Sequence, residues 1–231
     1  MRAVPTTRHA CAILLLRAAA TIRASAASGP SDASAAVVTR ALFGLSSPPQ
    51  IVVFATGGGI QLASYMLTTP GASRSVLDVQ MPYSRGSLVQ LLGEEPKKYC
   101  SAAVANDLAT AAYERARTLR NANDGPAVGV GCTAALRSEP MKRGAHRCFV
   151  AVRTDGGTHQ LALTLAKGAR SRSLEDAVVS RIALVALARA CGVELTAEHS
   201  DALWRLPADD VDGGRSDVAG ERLEVTFTPT S

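Results

Sequence analysis

Two loops of the sequence carry hydroxyl side chains that could take part in attack on a carbonyl carbon. Ser73 lies in the segment Pro70-Gly-Ala-Ser73, and Tyr83 follows ten residues later. A loop serine becomes a nucleophile when a neighbouring base or cation lowers the barrier to its deprotonation, and a tyrosine can relay the proton. The alternative is that Ser73 bonds to the backbone of a turn and Tyr83 packs half-buried, which is the more frequent use of such residues.

A run of three glycines, Gly57 to Gly59, follows Thr56 at the point where a buried strand is predicted to turn into a helix. Consecutive glycines let backbone N–H groups approach an anion closely, and the helix N-terminus adds a partial positive charge. We therefore predict that Thr56, Gly57 and Gly58 contact a ligand. The alternative is a tight turn that needs positive φ angles.

Small and basic residues form two further candidate segments. Gly129-Val-Gly131-Cys-Thr133 ends a predicted strand with room for a ligand, and Lys142 in the next loop could neutralise a phosphate. Lys167, Arg170 and Arg172 stand at the entry of the final helix, where cations are unfavourable unless an anion is bound. A solvated surface loop is the alternative for these cations. No histidines and carboxylates have metal-ligand spacing, so neither a metal nor a cofactor is expected.

The composition of the chain and its charge distribution indicate which classes of binding partner are expected. The chain has 231 residues and a net charge of +5, but its first 31 residues hold four arginines and no acid, so the remainder is nearly neutral. Four Phe, four Tyr and one Trp are too few for stacking on bases, and we expect no nucleic-acid binding. No run reaches the roughly 18 apolar residues of a membrane span. Five widely spaced cysteines without a C-x-x-C pair indicate a reducing compartment.

Residues 48–192 are predicted to form one α/β domain, because their hydrophobic periodicity alternates between two and 3.6. An Asp-Gly-Gly turn predicts a hairpin between strands at 147–153 and 159–165. The order β-α-β-α-α-β-β-β-α indicates a mixed sheet with helices packed on it. The earlier elements are predicted as a strand at 50–56, a helix at 60–67, a strand at 76–81, a helix at 84–92 and a strand at 127–132.

Two longer helices carry recognisable caps. Ser101 is a candidate N-cap for a helix that runs to Leu119. Ser173 is the predicted cap of the final helix, with Asp176 three residues on as its capping-box acid and Gly192 past its end.

The two ends of the chain are poor in core material. Residues 1–47 are rich in Ala, Ser and Arg, as in an organellar transit peptide; a disordered leader is the alternative, and a secretory signal is disfavoured by Arg17. We accordingly expect a cytoplasmic protein, or an organellar one (mitochondrion or plastid) if the leader is a transit peptide. Residues 193–231 form a polar tail whose last run, 223–228, alternates like a strand without an evident partner.

Taken in order, these motifs resemble the C-terminal domain of the CinA family, the nicotinamide-nucleotide amidases, over about residues 50–192. The matching segments are Thr56-Gly57-Gly58, Pro70-Gly-Ala-Ser73, Tyr83-Ser84, Gly129-Val-Gly131 and Gly168-Ala-Arg170. The sequence is most similar to a branch of plants and algae in which this domain precedes a nucleotidyltransferase-like domain. The segments that carry this second resemblance are Pro82-Tyr-Ser-Arg85, Lys142-Arg-Gly and Thr164-Leu-Ala-Lys-Gly168.

The resemblance implies a three-layer α/β/α sandwich that converts nicotinamide mononucleotide and water to nicotinate mononucleotide and ammonia. It implies Ser73 as nucleophile, Tyr83 as its assistant, a following lysine as activator, and the glycine turn and Arg170 as nucleotide contacts. A homo-oligomer is also expected. Leu88 stands where the activating lysine would align, and Val53-Phe-Ala-Thr56 lacks the acid and serine of the family's first motif.

These departures leave two main hypotheses. The first is an amidohydrolase acting on a pyridine mononucleotide. The second is a catalytically silent nucleotide-binding or regulatory module derived from it, because the nearby Arg85 cannot serve as a neutral base near pH 7. A purely structural oligomerisation domain is a third reading. Both ligand hypotheses require Thr56, Ser73, Tyr83 and Arg170 to converge on one cleft.

Overall fold

The computed structural model describes residues 32–195, Leu203 and residues 221–229. The helices are α1 (Asp32–Phe43), α2 (Gln61–Leu67), α3 (Arg85–Leu92), α4 (Ala102–Leu119) and α5 (Arg172–Ala190), with a 3-10 turn at Ala72–Arg74. The strands are β1 (Gln50–Thr56), β2 (Val76–Gln80), β3 (Ala127–Ala135), β4 (His146–Thr154), β5 (Gly157–Leu165) and β6 (Arg222–Pro229).

The six strands form one mixed sheet in the order β2-β1-β3-β4-β5-β6. β2, β1 and β3 are parallel, whereas β3, β4, β5 and β6 pair antiparallel in succession. The carboxyl ends of β1, β2, β3 and β5 therefore meet the start of β4 at one edge of the sheet, which we call the carboxyl edge. The opposite side, where β1 and β2 begin, is the amino edge.

Helices cover both faces of the sheet. α1, α2 and α5 share one hydrophobic cluster with one face, and α3 and α4 share another with the opposite face. Residues from Glu175 to Ala188 of α5 are buried on every side, because α5 lies between the sheet and the two outer helices α1 and α2. The predicted three-layer α/β/α sandwich with a mixed sheet is confirmed. No helix in the described part combines the length and the apolar character that a membrane crossing needs.

The glycines of β3 make room for helix α4. A Cβ atom added at Gly129 would lie 2.2 Å from the carbonyl oxygen of Ala109, and one added at Gly131 would lie 2.1 Å from that of Ala105. Such distances are far below van der Waals contact, so the backbone of α4 rests directly on β3. The room predicted for a ligand at these glycines is taken by the helix.

The structure differs from the predicted domain boundaries at both ends. α1 falls inside the predicted leader, yet Leu42 and Phe43 are buried because α1 packs on α5 and α2. The run at 223–228, predicted without a partner, lies in β6 and pairs with β5 along its length. The remainder of the predicted leader, residues 1–31, lies outside the described residues.

Candidate functional site

Every sequence-predicted site residue except Ser73 lies at the carboxyl edge. Thr56 ends β1, and Gly57 and Gly58 directly follow it. Tyr83 follows β2. Three further candidates complete the set along the same edge: Thr133 near the end of β3, Lys142 between β3 and β4, and Arg170 between β5 and α5.

Ser73 lies at the amino edge, in the turn that precedes β2. The backbone around it is fixed there, because the amide of Ile51 at the start of β1 donates to the carbonyl of Ser75 at 2.6 Å. β2 lies between Ser73 and Tyr83, and its five residues alone span roughly 16 Å at about 3.3 Å per residue. The predicted partnership of Ser73 and Tyr83 is therefore not formed, and the single cleft expected for all candidates does not include Ser73.

The start of α2 already holds a carboxylate from the protein itself. Asp176 accepts backbone N–H hydrogen bonds from Gly59 at 2.8 Å, Ile60 at 3.2 Å and Gln61 at 3.3 Å, and its side chain is buried. The predicted capping-box role of Asp176 in its own helix is wrong: the observed N-cap of α5 is Ser171, whose hydroxyl accepts from the amide of Leu174. Asp176 instead caps α2 in place of the expected ligand anion.

Turn geometry, the alternative given above, accounts for the glycines. Gly57 has a φ of +75°, and a Cβ atom there would lie 2.0 Å from the carbonyl oxygen of Ala134. A Cβ atom at Gly58 would approach the side chains of Leu136 and Ala134 within 3 Å. The turn is thus pressed against the end of β3, and its glycines serve that contact.

Replacing Asp176 with alanine is expected to lower the free energy of unfolding by about 2–4 kcal/mol, because three amides at a buried helix start lose their acceptor. Asp176→Asn keeps one acceptor oxygen and should lose less. Urea denaturation followed by far-UV circular dichroism measures the change. Asp107→Asn, at an exposed position of α4, is the matched control, and its stability is expected within about 0.5 kcal/mol of the wild type. Equal stability of Asp176→Ala and wild type would contradict the capping role.

Arg172, the first residue of α5, connects three segments of the carboxyl edge through hydrogen bonds. Its guanidinium donates to the carbonyls of Arg137 at 2.8 Å and Gly57 at 3.3 Å and to the hydroxyl of Tyr83 at 3.3 Å. Arg172 is exposed, and Tyr83 keeps 66% of its surface accessible. Sequence reasoning placed Arg172 among the cations of the helix entry but selected Arg170 as the ligand contact.

Arg170 has a different role from the one predicted. It is buried and forms an ion pair with Glu221, whose second carboxylate oxygen lies 3.3 Å from the Arg170 Nη2 atom. Glu221 immediately precedes β6, so this pair joins the entry of α5 to the last strand of the sheet. Because the carboxylate neutralises the guanidinium, Arg170 is a structural residue rather than a free nucleotide contact.

Thr56 and Thr133 fasten loops to the strand ends. The Thr56 hydroxyl donates to the carbonyl of Pro82 at 2.9 Å, which holds the loop that carries Tyr83. The Thr133 hydroxyl donates to the carbonyl of Tyr99 at 2.8 Å, and its side chain is buried. Both hydroxyls therefore position the site instead of offering a free group to a ligand.

A half-buried thiol and amine lie beside these strand ends. Burial raises the pKa of the Cys100 thiol, an effect that the neighbouring Arg147 only partly offsets, so the thiol stays protonated near neutral pH. Burial also lowers the pKa of Lys142. Cys100 is accordingly not an activated nucleophile.

A buried hydrogen-bonded pair of side chains, His146 and Glu175, supports the loop between β3 and β4. The Nδ1 atom of His146 lies 2.5 Å from one carboxylate oxygen of Glu175, and the other accepts the backbone N–H of Arg137 at 2.6 Å. Both side chains are completely buried. Arg137 also donates from its guanidinium to the carbonyl of Arg170 at 3.2 Å. The pair thus anchors the loop that brings Arg137 next to Arg172.

The arrangement is suited to binding an anion. Four exposed or half-exposed cations lie at the carboxyl edge; they are Arg137, Lys142, Arg143 and Arg172. Of these, Arg172 donates to the hydroxyl of Tyr83. Guanidinium groups match phosphate and carboxylate oxygens in geometry and charge. Within residues 32–195, 203 and 221–229, no group of three or more His, Cys, Asp or Glu side chains could hold a metal ion.

The α/β/α fold of this chain is similar to that of CinA-superfamily proteins. The chain superposes on such a protein from Escherichia coli with a TM-score of 0.51 at 15% identity, over 71% of this chain and 92% of that one. A CinA-superfamily protein from Klebsiella pneumoniae gives 0.52 at 12% identity, over 69% and 96%. The sequence matches no protein-family model and no curated protein.

At these identities the likeness establishes the fold alone. The resemblance to the CinA C-terminal domain, expected from the motifs, is confirmed at that level. Membership of the plant and algal branch stays a prediction.

Proposed function

We propose that this chain is a CinA-fold domain that binds a pyridine mononucleotide at its carboxyl edge and does not hydrolyse the carboxamide. The observation that carries the proposal is the separation of Ser73, at the amino edge, from the cluster of Arg172 and Tyr83 at the carboxyl edge. A hydroxyl at that distance cannot attack a ligand held by this cluster.

Binding is supported by the chemistry of the edge. The phosphate of a mononucleotide would meet the guanidinium groups of Arg137 and Arg172, with Lys142 and Arg143 on the adjoining loop. The nicotinamide ring of the mononucleotide carries a positive charge, and the exposed face of Tyr83 attracts a cation or stacks on a flat ring. A ligand with an anionic phosphate and a cationic ring therefore complements a site that has guanidinium groups and an exposed tyrosine ring.

Catalytic silence is supported by the residues around Tyr83. Leu88, at the position of the expected lysine, is 2% exposed and packs in the core with Val52 and Phe54. Arg85 forms an ion pair with Glu95 at 2.5 Å and cannot act as a base near pH 7. Neither Leu88 nor Arg85 therefore supplies the neutral base that the family's lysine would provide.

Calorimetric titration of the full chain with nicotinamide mononucleotide, followed by an ammonia assay, tests the proposal. We expect saturable binding without ammonia. Arg172→Gln should weaken binding about 10- to 100-fold, because a hydrogen-bonded charge contributes roughly 1.5–3 kcal/mol. Ser73→Ala should bind as the wild type does, since its side chain is remote from the edge.

Two results would overturn the proposal. Ammonia release by the wild type, lost in Ser73→Ala, would favour the amidase hypothesis. Unchanged affinity in Arg172→Gln would remove the carboxyl edge as the binding site. Self-association stays a prediction, and light scattering of the same preparation measures it.

A further inference from the structure

A polar cavity lies on the helical layer, between α1 and α2. Its volume is about 330 Å³, and its polar walls come from Arg40 of α1 and from Gln61, Ser64, Tyr65 and Thr68 along α2. The end lined by Arg40 and Thr68 is directed toward the amino edge, because β1 and β2 begin there shortly after these helices end. The cations of the carboxyl edge do not line it.

The floor of the cavity is held in place by hydrogen bonds. The Tyr65 hydroxyl donates to the side-chain oxygen of Gln61 at 3.0 Å and accepts from the Nε atom of buried Arg181 at 3.4 Å. The Tyr65 ring is itself only 6% exposed. A phenol fixed from both sides keeps the cavity open without a ligand, which lowers the ordering cost of binding.

The lining favours an anion that also carries hydroxyl groups. Arg40 is an exposed guanidinium at the rim, and the described lining contains no Asp or Glu. Ser64 adds a hydroxyl on an exposed position of α2. Thr68 at the C-cap adds a hydroxyl oxygen that can accept, since its own proton is donated to the carbonyl of Ser64 at 2.6 Å. Arginine beside hydroxyl groups matches the oxygens of a phosphate monoester. The volume is within the range of small-molecule sites, of about 300 Å³ and above, and exceeds the size of an inorganic phosphate.

We propose that this cavity is a binding site for a small organic phosphate monoester of the size of a sugar phosphate, separate from the carboxyl edge. Arg40 contacts the phosphate, and the hydroxyls of Ser64 and Thr68 contact the polyol. The site lies on the α1–α2 surface, so its occupation is independent of the mononucleotide.

Calorimetric titration of the full chain with ribose 5-phosphate tests this inference. Arg40→Gln should weaken binding about 10- to 100-fold through loss of a charged hydrogen bond. Ser64→Leu keeps the charge but fills the cavity, so it should also weaken binding. Arg117→Gln is the matched control, since Arg117 lies on α4 across the sheet and pairs with Glu114.

Several outcomes would overturn the inference. These are no binding to the wild type, equal affinity in Arg40→Gln, or an equal loss in Arg117→Gln. Equal affinity for inorganic phosphate would reject the assignment to an organic ester. Nicotinamide mononucleotide titrated into Arg40→Gln should bind as in the wild type; a loss there would make the cavity part of the mononucleotide site, whereas failure at the carboxyl edge alone would leave this inference standing.

Discussion

Gly129→Ala is expected to lower the free energy of unfolding by about 3 kcal/mol or more, although it adds a single methyl group. The new Cβ atom would lie 2.2 Å from both the carbonyl oxygen of Ala109 and the amide nitrogen of Tyr113. Both are backbone atoms inside α4, so no side-chain rotation relieves the contact. The helix must move off β3, which opens the layer that also contains Val104 and Leu108.

Gly86→Ala is the matched control for this change. Gly86 lies in α3, and a Cβ atom there meets nothing within 4 Å. The same methyl group should leave stability unchanged or raise it by up to about 1 kcal/mol, because glycine is a poor helix former. Chemical denaturation of both variants, monitored by circular dichroism, measures the difference. Equal midpoints for the two variants would contradict the close packing of α4 on β3.

Local signals in the sequence were sufficient for most of the fold. α4 begins and ends as predicted, with the Ser101 hydroxyl accepting from the amide of Val104. The hairpin of β4 and β5 turns between Thr154 and Gly157, as Asp-Gly-Gly predicts. These features depend on neighbouring residues alone, and period and capping are visible in one sequence.

Contacts between residues far apart in the sequence could not be predicted from such local signals. α1 lies in an Ala-rich segment that also suits a leader, and only its packing on α5 makes it part of the domain. The N-terminal boundary of α5 was misplaced because Ser171 and Ser173 are both acceptable caps. Asp176, three residues beyond Ser173, matched the capping-box pattern, but its partners are 115 to 117 residues away in the chain.

For the candidate site, too, local features could be predicted from the sequence and long-range contacts could not. The carboxyl edge follows from the strand order of the sheet, whereas the sequence predicted only that the motifs Thr56-Gly57 and Gly129-Val-Gly131 lie at the ends of strands. The predicted partnership of Ser73 with Tyr83 conflicts with the strand that is itself predicted at 76–81. A residue before a strand and a residue after it lie at opposite edges of the sheet. The pairing of Arg170 with Glu221 had no comparable signal, because 51 residues separate them.

Glu175→Ala is the second substitution with a large expected effect, a loss of about 2–5 kcal/mol in the free energy of unfolding. The Glu175 carboxylate is completely buried and serves two partners, the Nδ1 atom of His146 and the backbone N–H of Arg137. Its removal leaves both groups without their acceptor in the interior, each with a desolvation penalty of roughly 1–3 kcal/mol. The Nε2 atom of His146 is already buried without a hydrogen-bond partner, so the imidazole would keep no hydrogen bond among the described residues.

Glu175→Ala should also alter the carboxyl edge, because Glu175 holds the loop that places Arg137 beside Arg172. We expect Glu175→Ala to weaken mononucleotide binding even at temperatures where the variant stays folded. Glu175→Gln, which keeps one acceptor oxygen in a side chain of nearly the same size, should lose less stability and less mononucleotide affinity.

Glu114→Ala is the matched control. Glu114 is an exposed partner of Arg117 on α4, and its removal should change the free energy of unfolding by less than about 0.5 kcal/mol. If Glu175→Ala unfolds at the same denaturant concentration as Glu114→Ala, the buried pair does not anchor the loop, and the position of Arg137 must depend on its contacts with Arg170 and Arg172 alone.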